Sequence, residues 1–118
     1  MAAKDELGRR GENLAAAHLI ANGYEVVERN WRCKIGEIDI VATKDDELVF
    51  VEVKTRSSVA FGHPLEAITV RKLARLRQLA GAWCEAHPGH HARIRIDAIA
   101  IIAPSRGLVE IEHLERVF

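Results

Sequence analysis

The chain has 118 residues, 17 basic against 17 acidic side chains, no net formal charge and only two cysteines. A chain of this length suits one domain that buries roughly two-thirds of its unfolded surface. Zero net charge argues against a protein held on nucleic acid by bulk electrostatics, so any such site must be a local patch. Cys33 and Cys84 lie far apart and make no disulfide framework. No signal-type apolar stretch follows Met1, and the longest apolar run, residues 98–104, is too short to span a bilayer. The expectation is a cytoplasmic protein with no membrane partner.

Residues 5–22 read as an alanine-rich helix closed by Gly23, a favourable residue just past a helix end. On that helix Glu12 shares a face with Gly8, Ala15, Ala16 and Leu19, the side that packs inward. An inward carboxylate needs a partner, which Arg9 or His18 would supply if Glu12 were partly exposed. Residues 24–30 make a first strand and residues 32–36 link it to a hairpin of residues 37–43 and 47–56. Residues 57–64 form a loop broken by Gly62 and Pro64.

Residues 65–87 carry a longer helix with Leu73, Leu76, Ala80 and Trp83 as its apolar stripe. Its basic residues Arg71, Lys72, Arg75 and Arg77 form either a phosphate-binding face or the solvated side of an amphipathic helix. Pro88 and Gly89 stop it. Cys84, His87, His90 and His91 match no familiar four-ligand zinc spacing and read as a helix-ending loop. Residues 93–103 form a strand that becomes buried, and residues 108–111 a short last strand. This order describes an α/β domain with helices packed on a mixed central sheet.

The chemistry concentrates in the hairpin. In residues 47–56, ELVFVEVKTR, alternation puts Leu48, Phe50, Glu52 and Lys54 on one face and Val49, Val51, Val53 and Thr55 on the other. A carboxylate and an ammonium side by side in an apolar strand are costly unless something offsets them. A two-residue turn at Asp45-Asp46 sets Asp39 directly opposite Glu52, with Cβ atoms about 4.5–5.5 Å apart. Two carboxylates at that spacing raise each other's pKa unless a cation lies between them. Hard oxygen ligands from Asp39, Glu52 and the Val53 carbonyl suit Mg²⁺ (or Mn²⁺), which keeps several waters.

Such a cation would assist phosphodiester hydrolysis by polarising a phosphoryl oxygen and acidifying water. Lys54 would orient that water or neutralise developing charge, and Arg56 would contact a phosphate nearby. The other reading of the same residues is the solvated face of an edge strand.

The segment Gly36-Glu37-Ile38-Asp39-Ile40-Val41-Ala42, followed by Val51-Glu52-Val53-Lys54-Thr55-Arg56, resembles the D…E-x-K signature of the restriction-endonuclease-like superfamily. With Gly8-Arg9-Arg10-Gly11-Glu12, Asn30-Trp31-Arg32, Lys72 and Arg95-Ile96-Asp97, nearly the whole chain resembles the bacterial YraN-like proteins. That resemblance implies a single restriction-endonuclease-like domain over residues 1–118, related to archaeal Holliday junction resolvases. It implies Asp39, Glu52 and Lys54 as the catalytic group, Glu12 as an added acid at the metal, and a basic residue at Lys72, beside which Arg71 and Arg75 on the helix and Arg56 on the strand face are the further candidates for contacting nucleic acid. It implies Mg²⁺ or Mn²⁺ as cofactor and branched or structured DNA as substrate.

Glu37 would touch the metal's water shell or sit at the exposed start of its strand, and Asp97 would hydrogen-bond in the core. Symmetric cutting of a junction needs two sites, hence a homodimer. The alternative is a non-catalytic nucleic-acid-binding protein that retains the nuclease fold.

Overall fold

The computed structural model describes residues 3–89 and 93–118, with side chains from Asp5 onward. Its elements are helix α1 (Ala3–Ala21), strands β1 (Glu25–Cys33), β2 (Gly36–Lys44) and β3 (Glu47–Arg56), a 3₁₀ turn (Pro64–Ala67), helix α2 (Val70–Ala86), and strands β4 (Arg93–Ile102) and β5 (Glu110–Leu114). The strands lie in chain order across one mixed sheet. All neighbours are antiparallel except β3 and β4, which run parallel. A parallel pair needs a long crossover, and α2 supplies it.

One helix covers each face. Ala15, Ala16 and Leu19 of α1 pack on Ile40, Ala42, Val49, Val51, Ile99 and Ile101. Leu73, Leu76, Leu79, Ala80 and Trp83 of α2 pack on Val41, Leu48, Phe50 and Ile96. This is the α/β, restriction-endonuclease-like arrangement expected, with β3 and β4 buried on both sides as near-continuous apolar runs. Gly11 sets the depth of α1: a Cβ there would lie 1.7 Å from Thr55 Oγ1. Only glycine lets the helix rest on β3 at this point, which puts the next residue, Glu12, beside the hairpin.

Several boundaries differ from expectation for local reasons. Strand β1 runs on through Trp31 to Cys33 and pairs with Gly36 across a two-residue turn, so the anticipated link is mostly strand. The second helix starts at Val70, not residue 65: Thr69 caps it by accepting the Lys72 N–H at 3.2 Å. The residues before it form the separate 3₁₀ turn, capped by His63. The last strand is displaced to Glu110–Leu114 because its partners are Ile102 back to Ala98, and Leu108, apolar by sequence, is 88% exposed. His90 and His91 lie outside the described residues, so the rejected zinc spacing is not addressed there.

Candidate active site

Both strands of the first hairpin change face at one place. Residues two apart in a regular strand share a face, yet Ile40 belongs to the core beneath α1 and Ile38 to the core beneath α2. In β1, likewise, Arg29 reaches Glu12 and Asn13 of α1 whereas Trp31 packs on the α2 side. Between them sit Asn30 and Asp39, both skipped by a register that runs Arg29–Ile40 and then Trp31–Ile38. Asn30 has φ +54°, a left-handed conformation that asparagine tolerates better than most residues.

The break decides how Asp39 is presented. The β2–β3 register follows the expected two-residue turn from Lys44–Glu47 to Ile40–Val51 and ends there, one step before Asp39 and Glu52. Asp39 is therefore not a ladder partner of Glu52. Instead its Oδ2 accepts the Val53 N–H at 2.8 Å, the donor that a continued ladder would have aimed at Ile38. The N–H and C=O of one strand residue point toward the same neighbouring strand. The Val53 carbonyl thus also faces the β2 side, where the ladder has ended.

The acids remain electrostatically coupled. Burial first, then the Glu52 carboxylate and, with smaller effect, Glu12 and Glu37, push the Asp39 carboxyl up to about 7 against the pull of the Val53 N–H. Burial also raises Glu52, while Lys72 and then Lys54 draw it back. Asp39, Lys54 and Arg56 line an open cleft of about 660 Å³ with Glu12, Glu37 and the 57–61 segment. Glu52 opens on the α2 side, beside Arg71, Lys72 and Arg75, and Glu37 borders both openings. The site therefore straddles the sheet at the splay between β2 and β3.

Glu12 is tied to strand β1. Its Oε1 accepts from Arg29 Nε at 3.1 Å and Asn30 Nδ2 at 2.8 Å, which ties it to the strand break while its charge still reaches Asp39. Glu37 bonds the Arg32 side chain. Arg75 donates to the Ile35 carbonyl at 3.1 Å. Among the described residues Arg56 Nε is buried without a hydrogen-bond partner, while the residue lines the Asp39 cleft. Among the described residues no three His, Cys, Asp or Glu side chains gather as a metal cluster. The oxygen donors at the splay are the Asp39 and Glu52 carboxylates and the Val53 carbonyl, hard ligands of the kind a divalent cation such as Mg²⁺ takes.

Sequence reasoning missed a second polar cluster at the opposite end of the sheet. Fully buried Asp97 accepts from Arg95 Nε at 2.9 Å and from the Arg116 N–H at 3.1 Å, and His113 Nε2 lies 2.7 Å from it. Arg95 also reaches Glu47 and the Tyr24 hydroxyl, and Arg116 closes on Glu47. The core hydrogen-bonding place expected for Asp97 is the one it occupies. Its partners His113 and Arg116, and Glu47 on the same two arginines, are separated too widely in sequence for any local pattern to join them.

A family model described as "Uncharacterised protein family UPF0102" matches residues 11–101. A UPF0102 protein of Beutenbergia cavernae is 55% identical over 117 residues, covering 99% of each chain. One from Clavibacter michiganensis subsp. michiganensis is 53% identical over 112 residues, 95% of each chain. One from Frankia casuarinae is 48% identical over 118 residues, the whole of each.

Proposed function

The chain belongs to the UPF0102 family, whose name states no activity, and we propose that it is a metal-dependent endonuclease that hydrolyses phosphodiester bonds in structured or branched DNA. The observation that carries this reading is Asp39: a half-buried carboxylate pushed up to about 7, with Glu52 contributing to the rise, at a splay in the sheet beside Lys54. A fold gains nothing from two coupled acids at such a break unless a cation is to enter. When bound, Mg²⁺ or Mn²⁺ held by Asp39, Glu52 and the Val53 carbonyl would polarise a phosphoryl oxygen and acidify water.

The chain's own residues do the rest. Lys54 draws Glu52 toward its charged form and offers an ammonium to orient the attacking water or to neutralise the departing oxygen. Arg56 lines the same cleft and adds a guanidinium for a phosphate oxygen. Arg71, Lys72 and Arg75 extend the cationic surface on the α2 side of Glu52. Glu12, fixed by Arg29 and Asn30, holds the strand break in place and adds negative potential at Asp39. Contacts of this kind hold backbone phosphates and carry no base sequence, so selectivity would rest on DNA shape. Cutting a junction on both strands calls for a homodimer, checked by sedimentation at micromolar concentration.

A second reading, a non-catalytic nucleic-acid-binding protein with the same fold, is favoured by one feature: with its pKa near 7, Asp39 is about half protonated at neutral pH and holds a cation less readily. One experiment separates the two. Linear duplex, single-stranded, flap and four-way-junction DNA are incubated with the protein and Mg²⁺ or Mn²⁺, then with chelator, beside Asp39→Asn, Glu52→Gln and Lys54→Met. The nuclease reading expects metal-dependent cleavage lost in the first two variants and reduced roughly 10²- to 10⁴-fold in Lys54→Met. Cleavage that persists in both carboxylate variants would remove this site from consideration. Binding with no metal-dependent cleavage leaves the second reading standing.

A further inference from the structure

We propose that Phe61 is a stacking platform for an unpaired nucleobase at the mouth of the Asp39 cleft. The chain would then prefer nucleic acid that carries an unstacked base next to the phosphate it holds, an inference that rests on the nuclease reading above. Phe61 lines the same cleft as Asp39, Lys54 and Arg56. It is 91% exposed, more than any other large apolar side chain among the described residues. Isolated exposed apolar residues are ordinary on protein surfaces. The setting of this one is not.

The ring is held out on a fixed turn. The Gly62 N–H donates to the Val59 carbonyl at 3.0 Å, which makes Ala60 and Phe61 the corner, and the Ala60 N–H donates to Ser58 Oγ at 3.2 Å. Gly62 has φ +104°, and a Cβ there would lie 2.3 Å from Glu66 Oε2, so this position is closed to side chains. Both flanks are anchored. The Arg56 carbonyl accepts the Ala103 N–H at 2.8 Å, and the His63 N–H donates to Glu66 Oε2 at 2.7 Å while its ring accepts from Leu65 N–H at 3.1 Å. A backbone corner already fixed in place has little freedom to lose when a ligand stacks on the ring it carries.

The neighbouring charges select the occupant. Lys54 and Arg56 suit a phosphate, and a flat apolar ring suits the π-face that every base carries. Bases inside a duplex are already stacked on both sides. Only an unpaired base, as at a branch, bulge or single strand, has a face to give.

The test is equilibrium binding in chelator, where no cleavage occurs. The probes are a perfect duplex and the same duplex with one bulged 2-aminopurine, and the proteins are wild type, Phe61→Ala, Phe61→Trp and Asp39→Asn. The wild type is expected to favour the bulged probe and quench its fluorescence. Phe61→Ala is expected to lose roughly 5- to 150-fold on the bulged probe with little change on the duplex, and Phe61→Trp to restore both preference and quenching. An unchanged bulge-to-duplex ratio in Phe61→Ala would overturn the platform and leave the cleft reading intact. No binding of either probe by the wild type or Asp39→Asn would overturn both.

Discussion

Two aspartates of one sheet are treated in opposite ways. Asp97 is fully buried, yet the donors around it, His113, Arg95 and the Arg116 N–H, overcome the cost of burial and hold its pKa below the ordinary value. Asp39 has one backbone donor and three acidic neighbours, and its pKa rises to about 7. Glu47, beside Asp97, is held low by Arg116 and Arg95, whereas Glu52, beside Asp39, is raised by burial. A polar cluster that serves the fold neutralises itself. The cluster at the β2–β3 splay does not: burial and neighbouring acids raise both Asp39 and Glu52.

The largest effect expected from breaking this contrast is at the neutralised end. Arg95→Leu removes the guanidinium that Asp97 and Glu47 share, leaving fully buried Asp97 to His113 and the Arg116 N–H alone, and should cost about 3–5 kcal/mol in urea unfolding. At the other end, Asp39→Asn in chelator at pH 8 should stabilise the protein, by on the order of 2 kcal/mol, because it removes a charge the fold disfavours. Gly11→Ala, which forces α1 off Thr55, should cost roughly 1–3 kcal/mol and lower any cleavage through displacement of Glu12.

The pH dependence should carry opposite signs at the two ends. The Asp39 carboxyl titrates near 7 when folded against an ordinary 3.8. Folding therefore takes up a proton between those values, and this contribution to stability falls as pH rises from about 4 to 7 and then levels off. Asp97 is shifted down, so its contribution is present above the ordinary value and is lost as pH falls through the folded pKa. Unfolding free energies measured from pH 3 to 9 should show the neutral-range slope vanish in Asp39→Asn. Calorimetric Mg²⁺ affinity should rise toward pH 7 and then flatten, with proton release that the variant lacks. The smallest change is expected of Lys72→Ala: DNA affinity reduced about equally for all sequences, with a salt dependence shallower by about one phosphate.

The sequence alone determined a good deal. Alternation in residues 47–56 and the two-residue turn at Asp45-Asp46 fixed which residues of β2 and β3 face each other, because strand period and turn length leave little freedom. The apolar stripe of α2 and the inward face of α1 were equally legible, since burial imposes a helical period. What sequence periodicity could not reveal is where that regularity fails. The coordinated switch of face at Asn30 and Asp39 depends on β1 and β2 yielding together while α1 and α2 each claim one of their residues. The Arg95–Asp97 network joins four chain segments, around residues 24, 47, 95–97 and 113–116. Both follow from packing between elements distant in sequence, so only the tertiary structure decided that one acid would be neutralised and the other left open.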